Sequence, residues 1–404
     1  MPDTASPDTA SPDTASLSAL RQAPTWAQAL FGRRLVPVAK GPSAAATVWG
    51  IEGDQIAGQI SEQFKSGAGE YHARYAASAH FQGLFENTLS KLGLTVPDAP
   101  LIFDMGSGSG VNSIVPCFNL FPGARQVASD LSGDLLVMLA DYAAQAGLAD
   151  RVTCVVMDAM DAAVLPERFD LVTGASILHH LARPVRGLSA AARALKPGGQ
   201  AIFFEPFDGY GLLRLAYERI LAEAELRRSP LAPAADQVLR AMVADIAART
   251  APDPKRPGFA QMDDKWLFSR EQFEGLARDA GFASVRFLSH NNQPSLYRDI
   301  AGVQLRLSSG MDGLTLPNWA NDILDSFDRA MPRPAKTLFM LEGSVDGGTV
   351  YLATKVSGVA LSLSATQAKN ANCNMALRFT TPTSLSTVNK VTSSQVVTIL
   401  ASQN

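Results

Sequence analysis

Apolar and polar positions fall into alternating blocks over the middle of the chain, where short apolar runs are separated by longer amphipathic stretches. The runs are apolar throughout instead of at every second position, which is typical of strands buried on both faces of a parallel sheet. The stretches between them have the length and spacing of helices. This pattern predicts a doubly wound, mostly parallel α/β fold. The predicted strands are residues 99–106, 124–130, 151–158, 169–176 and 200–206.

The segments around this block differ from it in composition. Residues 2–16 repeat the sequence PDTAS and contain nothing to bury, so residues 1–16 are predicted to be a disordered tail. Residues 17–98 carry apolar positions near helical spacing and are predicted to form a helical N-terminal segment. Amphipathic helices are also predicted in two insertions, residues 207–268 and 291–345.

The last part of the chain, residues 357–404, is a polar extension rich in Ser, Thr, Asn and Ala, with almost no charge. Its run SQVVTILAS has high β propensity. A loosely attached β-hairpin, a disordered extension and a tail foreign to the rest of the chain all fit this composition, so no function is assigned to it.

Composition and charge limit the classes of partner. Of the 404 residues, 47% are hydrophobic and 18% charged, so the chain can bury a large core. The formal net charge is -3 and no long basic run occurs, which argues against nucleic acid or an anionic membrane as partner. The three cysteines, Cys117, Cys154 and Cys373, form no CxxC, so neither a disulfide framework nor a zinc site is predicted. We expect a cytoplasmic protein with no membrane partner and no metal.

The first predicted strand ends in an acid followed by alternating glycines. Asp104 precedes Gly106, Gly108 and Gly110, and Asp130 ends the next strand about twenty residues after the last glycine. Glycines at this point allow a tight turn and the close approach of a ligand to the backbone. An acid at the end of the second strand can accept hydrogen bonds from ribose hydroxyls. These features fit either a dinucleotide or S-adenosylmethionine.

The spacing of the glycines favours the second ligand. A dinucleotide turn usually reads GxGxxG, whereas here Val111 stands where that pattern has its third glycine. S-adenosylmethionine has no pyrophosphate to place at a helix N-terminus. It does carry an ammonium group, which the carboxylate of Asp104 would attract.

These motifs together resemble class I S-adenosylmethionine-dependent methyltransferases. The resemblance covers residues 99–206 in order, through FDMGSGSG, ASDLS, VMDAMD, RFDLVTGASILHHL and ALKPGGQAIFFEP, and continues in FSREQFEGLARDAGFASVRFLSH and GGTVYLATKV. It implies a seven-stranded Rossmann-like sheet in a methyltransferase domain of residues 99–356, with S-adenosyl-L-methionine as cofactor. The residues it implies in cofactor binding are Asp104, Gly106, Gly108, Gly110, Asp130, Leu131, Asp158 and Ala159, the last two on the adenine side.

Three ionisable residues are candidates for proton transfer. His179 and His180, in SILHHLARP, follow the fourth strand, and Glu205 ends the fifth. An imidazole that titrates near neutral pH suits a general base, and we place His180 first, before His179 and Glu205. An alternative stays open, in which the histidines cap a helix and pack against the cofactor loop while Glu205 only contacts the segment that follows.

The predicted function is methyl transfer from S-adenosylmethionine to a small-molecule acceptor. Oxygen is the first choice for the accepting atom, and nitrogen or carbon stays open. GASI stands after the fourth strand in place of an NPPY-like sequence, which disfavours amide and adenine amino acceptors. Two other classes are kept, a cofactor-binding protein without transferase activity and a nicotinamide-dependent oxidoreductase. The insertions are expected to form a lid over the acceptor or a homodimer contact.

Overall fold

In the computed structural model the chain divides into two compact units, Met1–Ala175 with Ser189–Ala201, and Ser176–Leu188 with Ile202–Asn404. The disordered tail predicted for residues 1–16 lies outside the residues whose structure is described. Those residues are 22–54, 64, 67–76, 86, 96–206, 210–227, 230–282, 284–289, 297–309, 314–330, 339–345, 348–355, 375–377 and 399–401.

The first unit is built on strands in the order β1-β2-β5-β4-β3-β6. Strands β3 to β6 pair in parallel, as expected for runs that are apolar throughout. The strands are β1 (Leu35–Lys40), β2 (Thr47–Ile51), β3 (Leu101–Met105), β4 (Arg125–Asp130), β5 (Val152–Val156) and β6 (Phe169–Ala175). The helices are α1 (Thr25–Gln28), α2 (Ala68–Ala76), α3 (Ile114–Leu120) and α4 (Gly133–Gln145).

The register of these strands brings the predicted acids to one edge of the sheet. Asp104 on β3 pairs with Ala128 on β4 and with Thr173 on β6, and Asp130 on β4 pairs with Val156 on β5. The carboxyl ends of parallel strands form the edge at which ligands bind in doubly wound folds. Behind this edge lie buried side chains that include Ile102, Phe103, Val127 and Leu171.

A β-hairpin interrupts the N-terminal segment that the sequence predicts to be helical over residues 17–98. Strands β1 and β2 pair antiparallel, with a register shift between Pro37 and Ala39, and β2 pairs in parallel with β5. The run TVWGI of β2 is buried at every position, and its β-branched and aromatic side chains suit a strand. The prediction was therefore wrong for these two strands, although helix α2 lies within the segment as expected.

Helix α5 (Pro184–Ala194) and strand β7 (Leu195–Pro206) contain residues of both units. The strand begins at Leu195, earlier than the predicted residue 200, so Pro197, Gly198 and Gly199 lie within it. Gly199 suits this position, because a Cβ there would lie 3.1 Å from the backbone oxygen of Phe169.

The second unit contains the helices of both predicted insertions. They are α6 (Tyr210–Leu226) and α7 (Pro233–Thr250) in the first, and α9 (Tyr297–Ser309) and α10 (Asn318–Ala330) in the second, with α8 (Arg270–Asp279) between them. Their shared apolar core includes Tyr217, Leu239, Leu305 and Leu324. Among the described residues, no helix has both the length and the apolar character that a membrane span requires.

The remaining strands of the second unit are β8 (Ser284–Ser289), β9 (Phe339–Val345) and β10 (Gly348–Lys355), which pair antiparallel. All seven strands that the sequence predicts are thus present, as β3 to β8 and β10, and the doubly wound, mostly parallel fold is confirmed. Strand β9 is an addition within the insertion expected to be helical. In the polar extension, β11 (Met375–Leu377) pairs with β12 (Ile399–Ala401), which lies in SQVVTILAS.

Candidate functional site

The glycine turn after β3 has a backbone conformation that other residues rarely adopt. Gly106, Gly108 and Gly110 have φ values of 70°, 51° and 81°, in the left-handed region that favours glycine. Gly110 is also confined by its neighbour, because a Cβ there would lie 2.4 Å from Leu139 Cδ1. The amide of Gly106 donates to the carbonyl of Ser129 on β4 over 2.8 Å, which fixes the turn to the adjacent strand.

Asp104 is fully buried beneath this turn. Its carboxylate accepts hydrogen bonds from Ser113 Oγ at 2.7 Å and from Thr173 Oγ1 at 2.5 Å. Burial raises the pKa of Asp104 to about 6, although the hydroxyl donors oppose the shift. The side chain thus connects the end of β3 to β6 and to the start of α3. Its expected contact with an ammonium group stays a prediction.

Asp130 joins the glycine turn to the start of helix α4. Its Oδ2 accepts from the amide of Gly108 at 2.8 Å, and its Oδ1 accepts from the amide of Ser132 at 2.8 Å. Burial raises the pKa of Asp130, while hydrogen bonds from the backbone of Ser132, Gly108 and Leu131 lower it. Ser132 also caps α4, as its Oγ accepts from the amide of Leu135. The carboxylate is therefore fixed at the carboxyl end of β4, and its contact with ribose hydroxyls stays a prediction.

Asp158 follows β5 and caps the short 3-10 helix Ala159–Asp161. Its Oδ1 accepts from the amide of Met160 at 2.8 Å, and Ala159 beside it is buried. The amide of Met157 donates to the carbonyl of Asp130 over 3.0 Å, so the ends of β4 and β5 are tied together. The adenine-side role of Asp158 and Ala159 stays a prediction.

Two contacts bring the N-terminal segment onto the same edge. His72 Nδ1 on α2 lies 2.8 Å from Ser109 Oγ in the glycine turn. Ser132 Oγ donates to the backbone carbonyl of Phe64. Neither contact could be predicted from the sequence, because His72 and Phe64 lie far along the chain from their partners and outside the recognised motifs.

In the second unit, Glu205 at the end of β7 anchors the turn that carries the histidine pair. Its Oε1 accepts from the amides of Ile177 at 3.0 Å and Leu178 at 2.7 Å, and its Oε2 accepts from the amide of His179 at 3.1 Å. The side chain is buried, and its oxygens face the first turn of the 3-10 helix Leu178–His180. Ser176, which precedes this turn, has a φ of 64°, a strained value for a residue with a Cβ.

His179 lies between two carboxylates. Its Nδ1 is 2.6 Å from Glu205 Oε2, and its Nε2 is 3.3 Å from Asp264 Oδ1. Burial lowers the pKa of His179, but the charges and hydrogen bonds of Glu205 and Asp264 outweigh it and raise the pKa to about 9. At neutral pH this side chain is therefore an imidazolium that donates to both acids.

His180 has the opposite electrostatic surroundings. Its Nδ1 lies 2.8 Å from the backbone carbonyl of Asp263, which can only accept, so Nδ1 carries a proton and Nε2 has the lone pair. Burial, followed by the positive charge of His179, lowers the pKa of His180 to about 3. The two rings are neighbours, with centroids 4.0 Å apart. The pair thus combines one charged and one neutral imidazole.

Asp264 and Arg249 complete this group, and neither could be predicted from a sequence motif. Arg249 Nη2 lies 3.1 Å from Asp264 Oδ2. Burial raises the pKa of Asp264, but His179 and then Arg249 outweigh it and hold the pKa well below its ordinary value. Within the described residues, His179, His180 and Asp264 bring ligand-type atoms within 4.8 Å of one another, a composition that suits a divalent cation. The guanidinium of Arg249 on Asp264 opposes such an ion.

Comparison with known proteins identifies the segment that contains the first-unit site. Residues 103–203 match a family described as a methyltransferase domain, which confirms the resemblance over this part of the chain. A release factor glutamine methyltransferase of Chlorobaculum tepidum is 39% identical over 74 residues, 18% of this chain and 25% of that protein. An uncharacterised protein of a Synechococcus species is 38% identical over 100 residues, 25% of this chain and 24% of that protein.

The chain therefore matches about a quarter of the length of these curated relatives. Among solved structures, a phosphoethanolamine N-methyltransferase 2 of Haemonchus contortus in complex with S-adenosyl-L-methionine has a TM-score of 0.37 at 16% identity. That alignment covers 71% of this chain and 60% of the other.

Proposed function

We propose that this chain, whose residues 103–203 belong to the methyltransferase domain family, transfers a methyl group from S-adenosylmethionine to a small-molecule acceptor. The observation that carries the proposal is the hydrogen bond from the Gly108 amide to Asp130. It joins the glycine turn and the predicted ribose acid at the carboxyl edge of the parallel sheet, where this fold binds its ligands.

The residues of this edge fit the cofactor in type and position. Asp130 would hold the ribose hydroxyls, with Leu131 beside it, and the glycines of the turn allow the ligand to approach the backbone. Asp158 and Ala159 would hold the adenine. Asp104 would act through its charge on the ammonium group, because its oxygens already accept from Ser113 and Thr173.

The cofactor supplies an activated methyl group, so the protein must mainly position the acceptor in line with it. His180 is the residue we propose to accept the acceptor's proton, because it is neutral and has its lone pair on Nε2. Its pKa of about 3 makes it a weak base, so orientation supplies most of the rate. Glu205 and His179 would act as positioning residues, because Glu205 accepts from amides of the turn and His179 donates to both Glu205 and Asp264.

The accepting atom is proposed to be oxygen, with nitrogen or carbon as the alternative. The substrate that names the release factor glutamine methyltransferase is that protein's own, and the match to it covers only 74 residues. A protein that binds the cofactor without turnover is the second candidate, because a pKa of about 3 leaves His180 little basicity.

Calorimetry tests the cofactor. Titration with S-adenosylmethionine, its demethylated product and a reduced nicotinamide dinucleotide, all with a chelator present, should show binding of the first two alone. Binding of only the dinucleotide would contradict the proposal. Methyl transfer from labelled cofactor to a panel of phenols, alcohols and amines then separates an enzyme from a binding protein.

The ribose assignment has its own variant. Asp130→Asn should weaken cofactor binding by about 1.5–3 kcal/mol, the range for hydrogen bonds to a charged group. Asp134→Asn, which changes an exposed acid in the first turn of the following helix α4, is the matched control and should leave the Kd unchanged. Equal affinities for the two variants would contradict the ribose role.

A further inference from the structure

Asp264 faces both histidines of the pair with a single oxygen. Its Oδ1 lies 3.3 Å from His179 Nε2 and 3.4 Å from His180 Nδ1. Its other oxygen, Oδ2, lies 3.1 Å from Arg249 Nη2. The two oxygens therefore act in different directions, one toward the imidazoles and one toward the guanidinium.

Arg249 is itself held in place on helix α7. Its Nη1 pairs with Asp245 Oδ2 at 3.1 Å, four residues earlier on the helix, and its backbone carbonyl accepts from the amide of Leu267 at 2.9 Å. Only 12% of its side chain is exposed, whereas 40% of the Asp264 side chain is. A planar guanidinium with fixed donors can restrict a carboxylate that would otherwise rotate in solvent.

The carboxylates of this group already have cationic partners within the chain. Two carboxylates, Glu205 and Asp264, alternate with two cations, His179 and Arg249, and each neighbouring pair is in contact. A divalent cation on Asp264 would lie beside the guanidinium of Arg249, and two cations repel each other strongly in a poorly solvated place. The arrangement therefore favours orientation of the rings over metal binding.

We propose that Asp264, fixed by Arg249, is a positioning residue that sets the orientation of both imidazoles. The neighbouring carbonyl of Asp263 accepts from the Nδ1 of His180, so residues 263 and 264 act together on this ring. Without the Asp264 carboxylate, Glu205 remains as the acid that holds the His179 ring, and the His180 ring loses the carboxylate beside its Nδ1. The catalytic consequence rests on the methyl transfer proposed above, whereas the orientation of the rings does not.

The test uses Asp264→Asn in the full chain, with ¹⁵N-labelled histidine and spectra that show which ring nitrogens carry protons. In the wild type at pH 7, one histidine should be protonated on both nitrogens and its neighbour on Nδ1 alone. The signals are assigned with His179→Asn and His180→Asn. In Asp264→Asn the ¹⁵N signals of both rings should shift, and kcat should fall by roughly 10- to 100-fold because the ring is misplaced, with the Kd of the cofactor unchanged.

Asp236→Asn is the matched control, because it breaks an exposed ion pair with Arg240 on the same helix. It should change neither the spectra nor kcat. Asp264→Glu restores the charge and should recover part of the wild-type pattern. If Asp264→Asn does not fold, Arg249→Lys takes its place. This variant keeps the positive charge but removes the planar guanidinium that pairs with both Asp245 and Asp264, and it should shift the spectra in the same direction.

Unchanged histidine spectra in Asp264→Asn, or in Arg249→Lys if that variant has to be used, would overturn the proposal. So would stoichiometric binding of Zn²⁺ or Co²⁺ to the wild type that is lost in Asp264→Asn, because the three side chains would then be metal ligands. A wild type that shows the expected spectra but no methyl transfer with any acceptor would contradict the proposed function and leave the positioning role supported.

Discussion

Two buried carboxyl groups, Asp104 in the first unit and Glu205 in the second, are held by different kinds of partner. Asp104 accepts from the hydroxyls of Ser113 and Thr173, which are neutral donors. Glu205 accepts from backbone amides and from the imidazole of His179. Burial raises the pKa of Asp104 to about 6. In the second unit, burial lowers the pKa of His179, but Glu205 and Asp264 raise it to about 9.

The comparison shows that the partner decides which group changes its protonation. A hydroxyl cannot become charged, so a carboxyl group surrounded by hydroxyls retains its proton to higher pH when it is buried. An imidazole can take up a proton, so it becomes the cation that a buried carboxylate needs. The first-unit site should therefore lose stability when its acid ionises, and the second-unit site should lose stability when its base deprotonates.

The largest expected effect is that of Glu205→Gln. The variant removes one charge of a buried pair and places an amide N–H₂ against backbone donors, which should cost about 3–5 kcal/mol in the free energy of unfolding. Urea denaturation measures this loss. Glu218→Gln removes a surface acid paired with Arg214 on helix α6 and should change stability by less than about 0.5 kcal/mol. Equal losses in the two variants would contradict the role assigned to Glu205.

A loss of stability between about pH 6.5 and 9 should come from His179. Its folded pKa of about 9 lies above the ordinary 6.5, so its stabilising effect is complete below pH 6.5 and disappears as the pH rises through 9. The change should be about 3 kcal/mol. Denaturation curves across this interval should show the slope in the wild type and lack it in His179→Asn. If the slope persisted in His179→Asn, the loss of stability would come from another titrating group.

A second loss should occur at lower pH and arise from Asp104. Its folded pKa of about 6 lies above the ordinary 3.8, so the folded state binds more protons between these values and the free energy of unfolding falls as the pH rises. The expected change is about 3 kcal/mol or somewhat less. Asp104→Asn should abolish it while leaving the His179 interval intact. If Asp104→Asn and His179→Asn removed the stability change in the same pH interval, the distinction between the two sites would be contradicted.

Much of the first-unit site could be predicted from the sequence, because its signals are local. The run before Asp104 is apolar at successive positions, and the register of β3 and β4 then places Asp104 and Asp130 at one edge. The glycine spacing likewise follows from φ values that only this residue adopts readily.

The second-unit group could be predicted only in part. The sequence marked His179, His180 and Glu205, but their roles depend on Asp264 and Arg249, which lie far along the chain in an insertion. Neither residue belongs to a motif, and a lone acid or arginine near an amphipathic helix is usually a solvated surface charge. The hairpin of β1 and β2 could not be predicted for another reason. The apolar positions elsewhere in residues 17–98 have helical spacing, and the helical prediction for that whole segment covered the two strands as well.

Strand β1, which ends the strand order of the first unit, has a further consequence for the behaviour of the protein in concentrated solution. Pro37 has no N–H to offer to another strand, the register shifts just after it, and Lys40 places a charge at the strand's end. All three features oppose edge-to-edge addition of a further strand, the route by which open sheets aggregate into fibrils. We therefore expect this edge to resist self-association, so that a homodimer would have to form through a different surface.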